Sequence, residues 1–278
     1  MDIMCKKRKI IWLLPFCFII LLYLVIPLVY MLISSFQEDV SGRWTLYNYM
    51  QSLTKPYYYR SFLNSGLIAI FSSIFGMIGS LVFCTALLSL PKKKQEQWLL
   101  LSNLAANFAG IPLAFGFIIL LGNAGVLKMI FPFLMGFDLY SWQGLVLTYV
   151  YFQIPLATIF IYPVMKKIRK EWQESAEILG ASKWYYYRKI VYPFMAPALF
   201  NTFVILFANG MGTYETAYAL VGSNVNLVTI RISSLVAGDV YAKPNIGSSL
   251  SVLFSLAMML AVLLSQRLIK RVERKNYE

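Results

Sequence analysis

Six stretches of this sequence, at positions 10–35, 62–90, 98–121, 142–165, 194–221 and 246–264, contain between them one charged residue, Glu215. A helix rises about 1.5 Å per residue, so about 20 apolar residues cross the hydrocarbon of a bilayer, and each stretch is of that order. In lipid, backbone polar groups must be satisfied internally, which leaves helices or closed barrels. The apolar residues run continuously instead of alternating, which excludes a barrel. Hydrophobic residues make up 59% of the 278 and charged residues 13%, far from a water-soluble composition. The expected fold is an all-α integral membrane protein, one transmembrane domain over 1–278 with six spans. Pro15, Pro27, Pro112, Pro155, Pro163 and Pro197 fall inside these stretches, where helices packed in lipid tolerate them.

Lys and Arg divide unevenly between the connecting segments. Lys6, Lys7, Arg8 and Lys9, then Lys92 to Lys94, the seven bases from Lys166 to Lys189, and the five bases from Arg267 to Lys275 all fall on one side. Arg43, Lys55, Arg60, Lys128, Arg231 and Lys243 fall on the other. Basic loops stay cytoplasmic, so both termini and the segment 166–193 are expected inside. The net charge of +13 then reflects bases set against anionic lipid, and no nucleic-acid partner is called for. The start, "CKKRKIIWLLPF", has the look of a signal peptide. Its apolar run is too long and lacks a small-residue cleavage site, so an uncleaved first helix is expected.

The sequence has no histidine, which removes most zinc sites and Ser/His or Cys/His chemistry. Cys5, Cys17 and Cys84 show no paired spacing and read as packing residues. No GxxxxGK[ST] phosphate loop occurs, so nucleotide hydrolysis by this chain itself is not expected. A pathway through the membrane is the better reading than an enzyme.

The most polar long stretch is "QESAEILGASKWYYYRKIVYP", 173–193. Glu171, Glu174 and Glu177 recur at helical spacing, Trp172, Ala176 and Leu179 supply an apolar side, and Gly180 stands where the helix would end. Ser182 is placed to cap a second short helix. Most charged loops between spans are solvated connectors, but that reading leaves the spacing unexplained.

Glu174, Ser175, Ala176, Gly180, Ile190, Tyr192 and Pro193 resemble the E-A-A-x3-G-x9-I-x-L-P loop of permease subunits in binding-protein-dependent type I ABC importers. Ser175 stands where Ala is usual and Tyr192 where Leu is usual. The resemblance implies that 166–193 is the coupling loop, with Glu174 contacting the ATPase, Ala176 the small packing position, Gly180 the turn, and Pro193 opening the next span. It also implies a second permease, identical or homologous, two ATPase subunits that use ATP and Mg, an extracytoplasmic substrate-binding protein, and a place in the bacterial inner membrane. No cofactor would be bound by this chain. "TLYNYMQSL", "YRSFLNSGLIA", "LLGNAGVL" and "YALVGSNVNLVTIRISSLVAGDV" resemble the spermidine/putrescine-type branch, which makes a polyamine or similar cation the expected solute.

An ionisable side chain inside a span is costly and should face a cavity or a partner. Glu215, with Asn209, Thr213 and Tyr214 beside it, either lines the path of a cationic solute or pairs structurally, for example with Arg231. The tyrosines of "KPYYYRSF" and "KWYYYRK" read as an interfacial belt. The stretch 122–141 is an interfacial helix, a re-entrant segment or simple packing. Two other classes stay open: an ion-coupled secondary transporter or channel, which would need more intramembrane ionisable groups, and a scaffold that transports nothing.

Overall fold

Among the residues described by the computed structural model, 14–237 and 242–277, six helices are long and apolar enough to span a membrane. No strand forms among them beyond a single bridge between Gln37 and Trp44. The chain divides into two units, one of residues 1–59 and 231–256, the other of residues 60–230 and 257–278.

In the first unit, helix α1 (Leu14–Ile20) passes through a π turn, Leu21–Val25, into α2 (Ile26–Ser35). The expected first span, 10–35, is therefore helical over its described part, and residues 10–13 lie outside the described residues. Helix α3 (Tyr47–Thr54) follows. Polar contacts organise this unit, as they do where lipid removes the hydrophobic drive between helices. The Ser34 hydroxyl donates to that of Ser248 at 2.9 Å, and Ser52 and Ser249 share a hydrogen bond of 2.9 Å. Asn48 Nδ2 donates to the carbonyls of Ser35 and Gln37. The Arg231 guanidinium lies 3.9 Å from the Tyr57 ring centroid and donates to the Tyr57 hydroxyl.

Three helices continue from one unit into the other: α4 (Pro56–Leu88), and, later in the chain, one at Val228–Ala237 and one at Pro244–Tyr277. Helix α4 begins ahead of the expected 62–90, and the last helix runs well past the expected 246–264. In both cases charged residues lie along the extra turns, so hydropathy ends the span where the helix itself continues.

The second unit is built around α8. Its other helices are α5 (Lys92–Asn107), α6 (Ile111–Leu121), α7 (Val126–Ile130), α8 itself (Trp142–Met165), α9 (Lys170–Ile178), α10 (Lys183–Tyr186), α11 (Tyr192–Gly212) and α12 (Glu215–Val221). Of the apolar stretch of α8 61% is buried, against 33% for that of Ile111–Ile130 and 28% for that of Lys183–Gly212, so α8 is the most enclosed of these spans. Glycines bring α4 close to it: a Cβ on Gly76 would come 2.8 Å from Gln153 Cβ, and one on Gly79 2.7 Å from Ile154 Cδ1. Ser80 and Thr158 share a hydrogen bond of 3.1 Å across the same seam.

Two expected spans are not continuous. The stretch 98–121 breaks at 108–110, between α5 and α6, and 194–221 breaks at Thr213 and Tyr214, between α11 and α12. Gly110 has φ +77°, a left-handed conformation that ends helical pairing at no steric cost to glycine. At the second break Thr213 takes an extended backbone (ψ 112°), and its freed carbonyl accepts from the Tyr149 hydroxyl at 3.3 Å. The stretch 122–141 holds α7, a 3-10 turn at Pro132–Leu134, and Leu139, which is fully buried. Leu127, Leu134 and Phe137 pack on the core while Met129, Phe133 and Met135 are exposed. One side of this segment therefore packs and the other is an uncovered apolar face.

Candidate functional site

Residues 166–193 form two short helices and a turn, and each join follows from local chemistry. Helix α9 carries Glu171 in its first turn, where a carboxylate suits the positive end of the helix dipole. It ends at Gly180, whose φ of +77° is the conformation of a glycine helix stop. The amide of Ala181 reaches back to the Ala176 carbonyl at 2.9 Å and closes the turn. The Ser182 hydroxyl then accepts from the Tyr185 amide at 3.3 Å and caps α10.

Beyond α10 the chain does not restart at Pro193. It passes through a π turn, Tyr187–Val191, directly into α11, giving an unbroken apolar helix Lys183–Gly212 of 30 residues. Pro193 sits in the first turn of α11, where its missing N–H costs little because the turns before it are wide.

The seven loop residues singled out from the sequence divide by exposure, Tyr192 standing out from the fold. Ala176 is buried in a core cluster with Cys84, Leu87, Ile161, Tyr186 and Met195, so a small side chain of α9 keys the loop into the second unit. Ile190 packs against the same cluster. Glu174 and Ser175 face outward, as does the turn at Gly180, and Pro193 is half-buried. Trp172 is half-buried and meets Phe194 edge to face at 5.3 Å. Leu179, expected on the apolar side with Ala176, is instead 85% exposed, and its neighbour Ile178 is equally so. The helix ends before another element arrives to cover them. Arg188 lies over the Trp184 ring at 4.8 Å, and Lys166 over that of Tyr162 at 5.6 Å. The Tyr162 hydroxyl donates to Gln95 Oε1 at 2.7 Å, tying the end of α8 to α5.

The second candidate cluster lies at the two helix breaks. Glu215 is not inside a continuous span as the sequence suggested. It opens the seven-residue helix α12, immediately after the Thr213–Tyr214 break, and is exposed. Thr213 donates to the Asn209 carbonyl at 2.7 Å, and the rings of Tyr214 and Tyr218 stack at 5.4 Å. Asn209 is exposed on the last turns of α11. The four residues thus straddle one break, held by backbone geometry.

Sequence reasoning missed what this break touches. The Gly110 amide donates to the Thr216 hydroxyl at 2.8 Å, and that hydroxyl in turn lies 3.3 Å from the Gly110 carbonyl. A Cβ on Gly110 would come 2.7 Å from Glu215 Oε2. The breaks of two spans therefore meet, with the carboxylate over the glycine. "AGIP", a glycine shortly before a proline, was the available signal for a helix start there. Gln153 was also missed. It is fully buried at the middle of α8, donates to the Leu206 carbonyl at 3.3 Å, and its Oε1 has no partner.

Comparison with known proteins places this architecture. The spermidine/putrescine transport system permease protein PotC of Escherichia coli (strain K12) is 25% identical over 246 residues, covering 86% of this chain and 88% of PotC. FbpB 1 of Haemophilus influenzae, named for ferric transport, is 22% identical over 256 residues, covering 88% of this chain. The chain spans only 39% of the length of FbpB 1. Among solved structures, a bacterial alginate ABC transporter in complex with an alginate pentasaccharide-bound periplasmic protein superposes with a TM-score of 0.75. That match has 16% identity and covers 98% of this chain and 96% of the other, so it establishes a shared fold. A family model matches residues 7–276, nearly the whole sequence: the chain belongs to the family of binding-protein-dependent transport system inner membrane components.

Proposed function

We propose that this chain is the membrane-spanning permease subunit of an ATP-driven importer in a bacterial cytoplasmic membrane, with both termini and the loop 166–193 inside. The observation that carries the reading is the loop's division of labour. Ala176 locks α9 into the core, while Glu174, Ile178 and Leu179 stand out from it. A solvated connector gains nothing from two bare aliphatic side chains at its tip, whereas a docking knob does. The partner on that side is an ATPase subunit, two per transporter, which binds ATP and Mg. This chain is not itself the enzyme. A second permease, identical or homologous, completes the pathway, and an extracytoplasmic binding protein delivers the solute.

The solute we infer is a small cation of the polyamine kind. Relatives are named for cargoes as different as spermidine and ferric iron, so the relatives do not choose it. The support is Glu215, an exposed carboxylate at a helix break, flanked by the stacked rings of Tyr214 and Tyr218. A carboxylate beside aromatic faces attracts an ammonium group. Asn209 and Thr213 line the same break.

The test is uptake and solute-stimulated ATP hydrolysis by the chain reconstituted with its co-purifying subunits, comparing wild type with Glu174→Ala and Glu215→Gln. Glu174→Ala is expected to lower both without loss of the assembled complex, and Glu215→Gln to weaken cationic solutes selectively. Unchanged stimulation in Glu174→Ala would return the loop to the status of a connector.

A further inference from the structure

Between α9 and the first turns of α11 lies a groove of about 1650 Å³. Its lining is mixed: Lys167, Ser182 and Lys189 bring polar groups, Trp172 and Leu179 apolar surface from α9 and its end, and Phe194 and Pro197 the apolar start of α11. None of the residues lining it is acidic. Lys189 and Ile190 are consecutive within the π turn, and both reach the groove. Further bases, Lys166, Arg169, Lys170, Lys183 and Arg188, are exposed along the same loop.

We propose that this groove binds an anionic phospholipid, its phosphate between Lys167 and Lys189 and its chains along Phe194 and Pro197. An occupant that satisfies this lining carries negative charge and apolar surface together, because Pro197 lies in the second turn of an apolar span while Lys167 lies beyond the end of α8. A free anion would leave the apolar wall bare. A cationic solute would be repelled by the lysines. Basic pockets at the ends of membrane helices take anionic headgroups in this way, and the lysine stems can lie on the apolar wall while their ammonium groups meet the phosphate. The lipid would fill the space beside α9, with Leu179 as one of its walls. The assignment of leaflet rests on the proposed cytoplasmic side of the loop, while the site itself does not.

Trp172 lines the groove and reports on its occupant. The full chain, with the subunits that co-purify with it, is placed in phosphatidylcholine bilayers containing increasing brominated phosphatidylglycerol or, in parallel, brominated phosphatidylcholine. The Trp172 signal is the difference between the protein and its Trp172→Phe variant. Brominated phosphatidylglycerol is expected to quench it at lower mole fraction than brominated phosphatidylcholine. Lys167→Gln/Lys189→Gln should raise that mole fraction between about fivefold and about thirtyfold, the factors for losing one and two lysines near an anionic surface. Lys167→Arg/Lys189→Arg should keep the wild-type value. Equal quenching by both lipids would overturn the proposal in favour of ordinary boundary lipid, and no quenching by either in favour of a protein segment. An arginine variant that behaves like the glutamine variant would overturn it as well. If Glu174→Ala uncouples hydrolysis while lipid selectivity is absent, the lipid site alone falls. If selectivity holds and Glu174→Ala changes nothing, the coupling role falls and the lipid site stands.

Discussion

The amide of Gly110 and the hydroxyl of Thr216, 106 positions apart in the chain, meet at 2.8 Å where two membrane spans are interrupted. A backbone N–H freed by a helix break in a dry environment needs a partner, and here a side chain of the other broken span supplies it. Thr216→Val removes that partner while keeping the shape. It is expected to lower the stability of the detergent-solubilised protein by about 1–3 kcal/mol, the cost of a buried unsatisfied donor. Thr216→Ser should recover most of the loss, as read from thermal unfolding.

Gly110→Ala should be harmful for two separable reasons. The backbone at φ +77°, ψ −151° is one that essentially only glycine adopts and costs an L-residue about 1–3 kcal/mol, and the new methyl would stand 2.7 Å from Glu215 Oε2. Adding Glu215→Ala removes the second cost only. The double variant should therefore be more stable than the two single effects added together, a non-additivity expected of touching residues.

Ala176→Leu and Leu179→Ala probe the loop 166–193 from its two sides. Ala176 is 7% exposed within a packed cluster, so the larger side chain should destabilise by about 1–3 kcal/mol and lift α9 from its seat. Leu179 is 85% exposed, so its truncation should leave stability within about 0.5 kcal/mol. If α9 docks on an ATPase, Leu179→Ala should nevertheless reduce solute-stimulated hydrolysis. Measuring unfolding and hydrolysis on both variants separates folding from docking.

Gln153→Met tests the unpaired acceptor in the middle of α8. The substitution removes a weak 3.3 Å hydrogen bond to Leu206 and an oxygen with no partner at all. Stability should change by less than about 1.5 kcal/mol, as for a volume-conserving exchange. Gly76→Ala, which would drive a methyl against Gln153 Cβ at 2.8 Å, should cost more. A larger loss in Gln153→Met than in Gly76→Ala would show that the amide holds a role in the resting protein that its hydrogen bonds do not account for.

The helices of this protein were legible because an uncharged run of span length has few alternatives in lipid. The turn at Gly180 and the cap at Ser182 were legible as well, since each is a local arrangement of one residue type with its own backbone. The breaks at 108–110 and at Thr213 were not. Hydropathy weighs side chains, and Phe108, Ile111 and Met211 are apolar whether or not the backbone between them is helical. The exposure of Leu179 was also beyond the sequence, because the periodicity of α9 fixes which residues share a face but not where the neighbouring element ends. The meeting of Gly110 with Glu215 depends on two spans packing side by side, which no stretch of either one encodes.

The continuity of Lys183–Gly212 has a mechanical meaning. Thirty residues at about 1.5 Å each make a helix of roughly 45 Å with the loop proposed to dock at one end and the Thr213 break at the other. Pivoted at one end, such a rod swings its far tip through about 4 Å for every five degrees of tilt, more than a hydrogen-bond length. A small rotation imposed at the loop would thus arrive beside Glu215 as a displacement large enough to open or close a passage, with no signal having to be relayed from one side chain to the next.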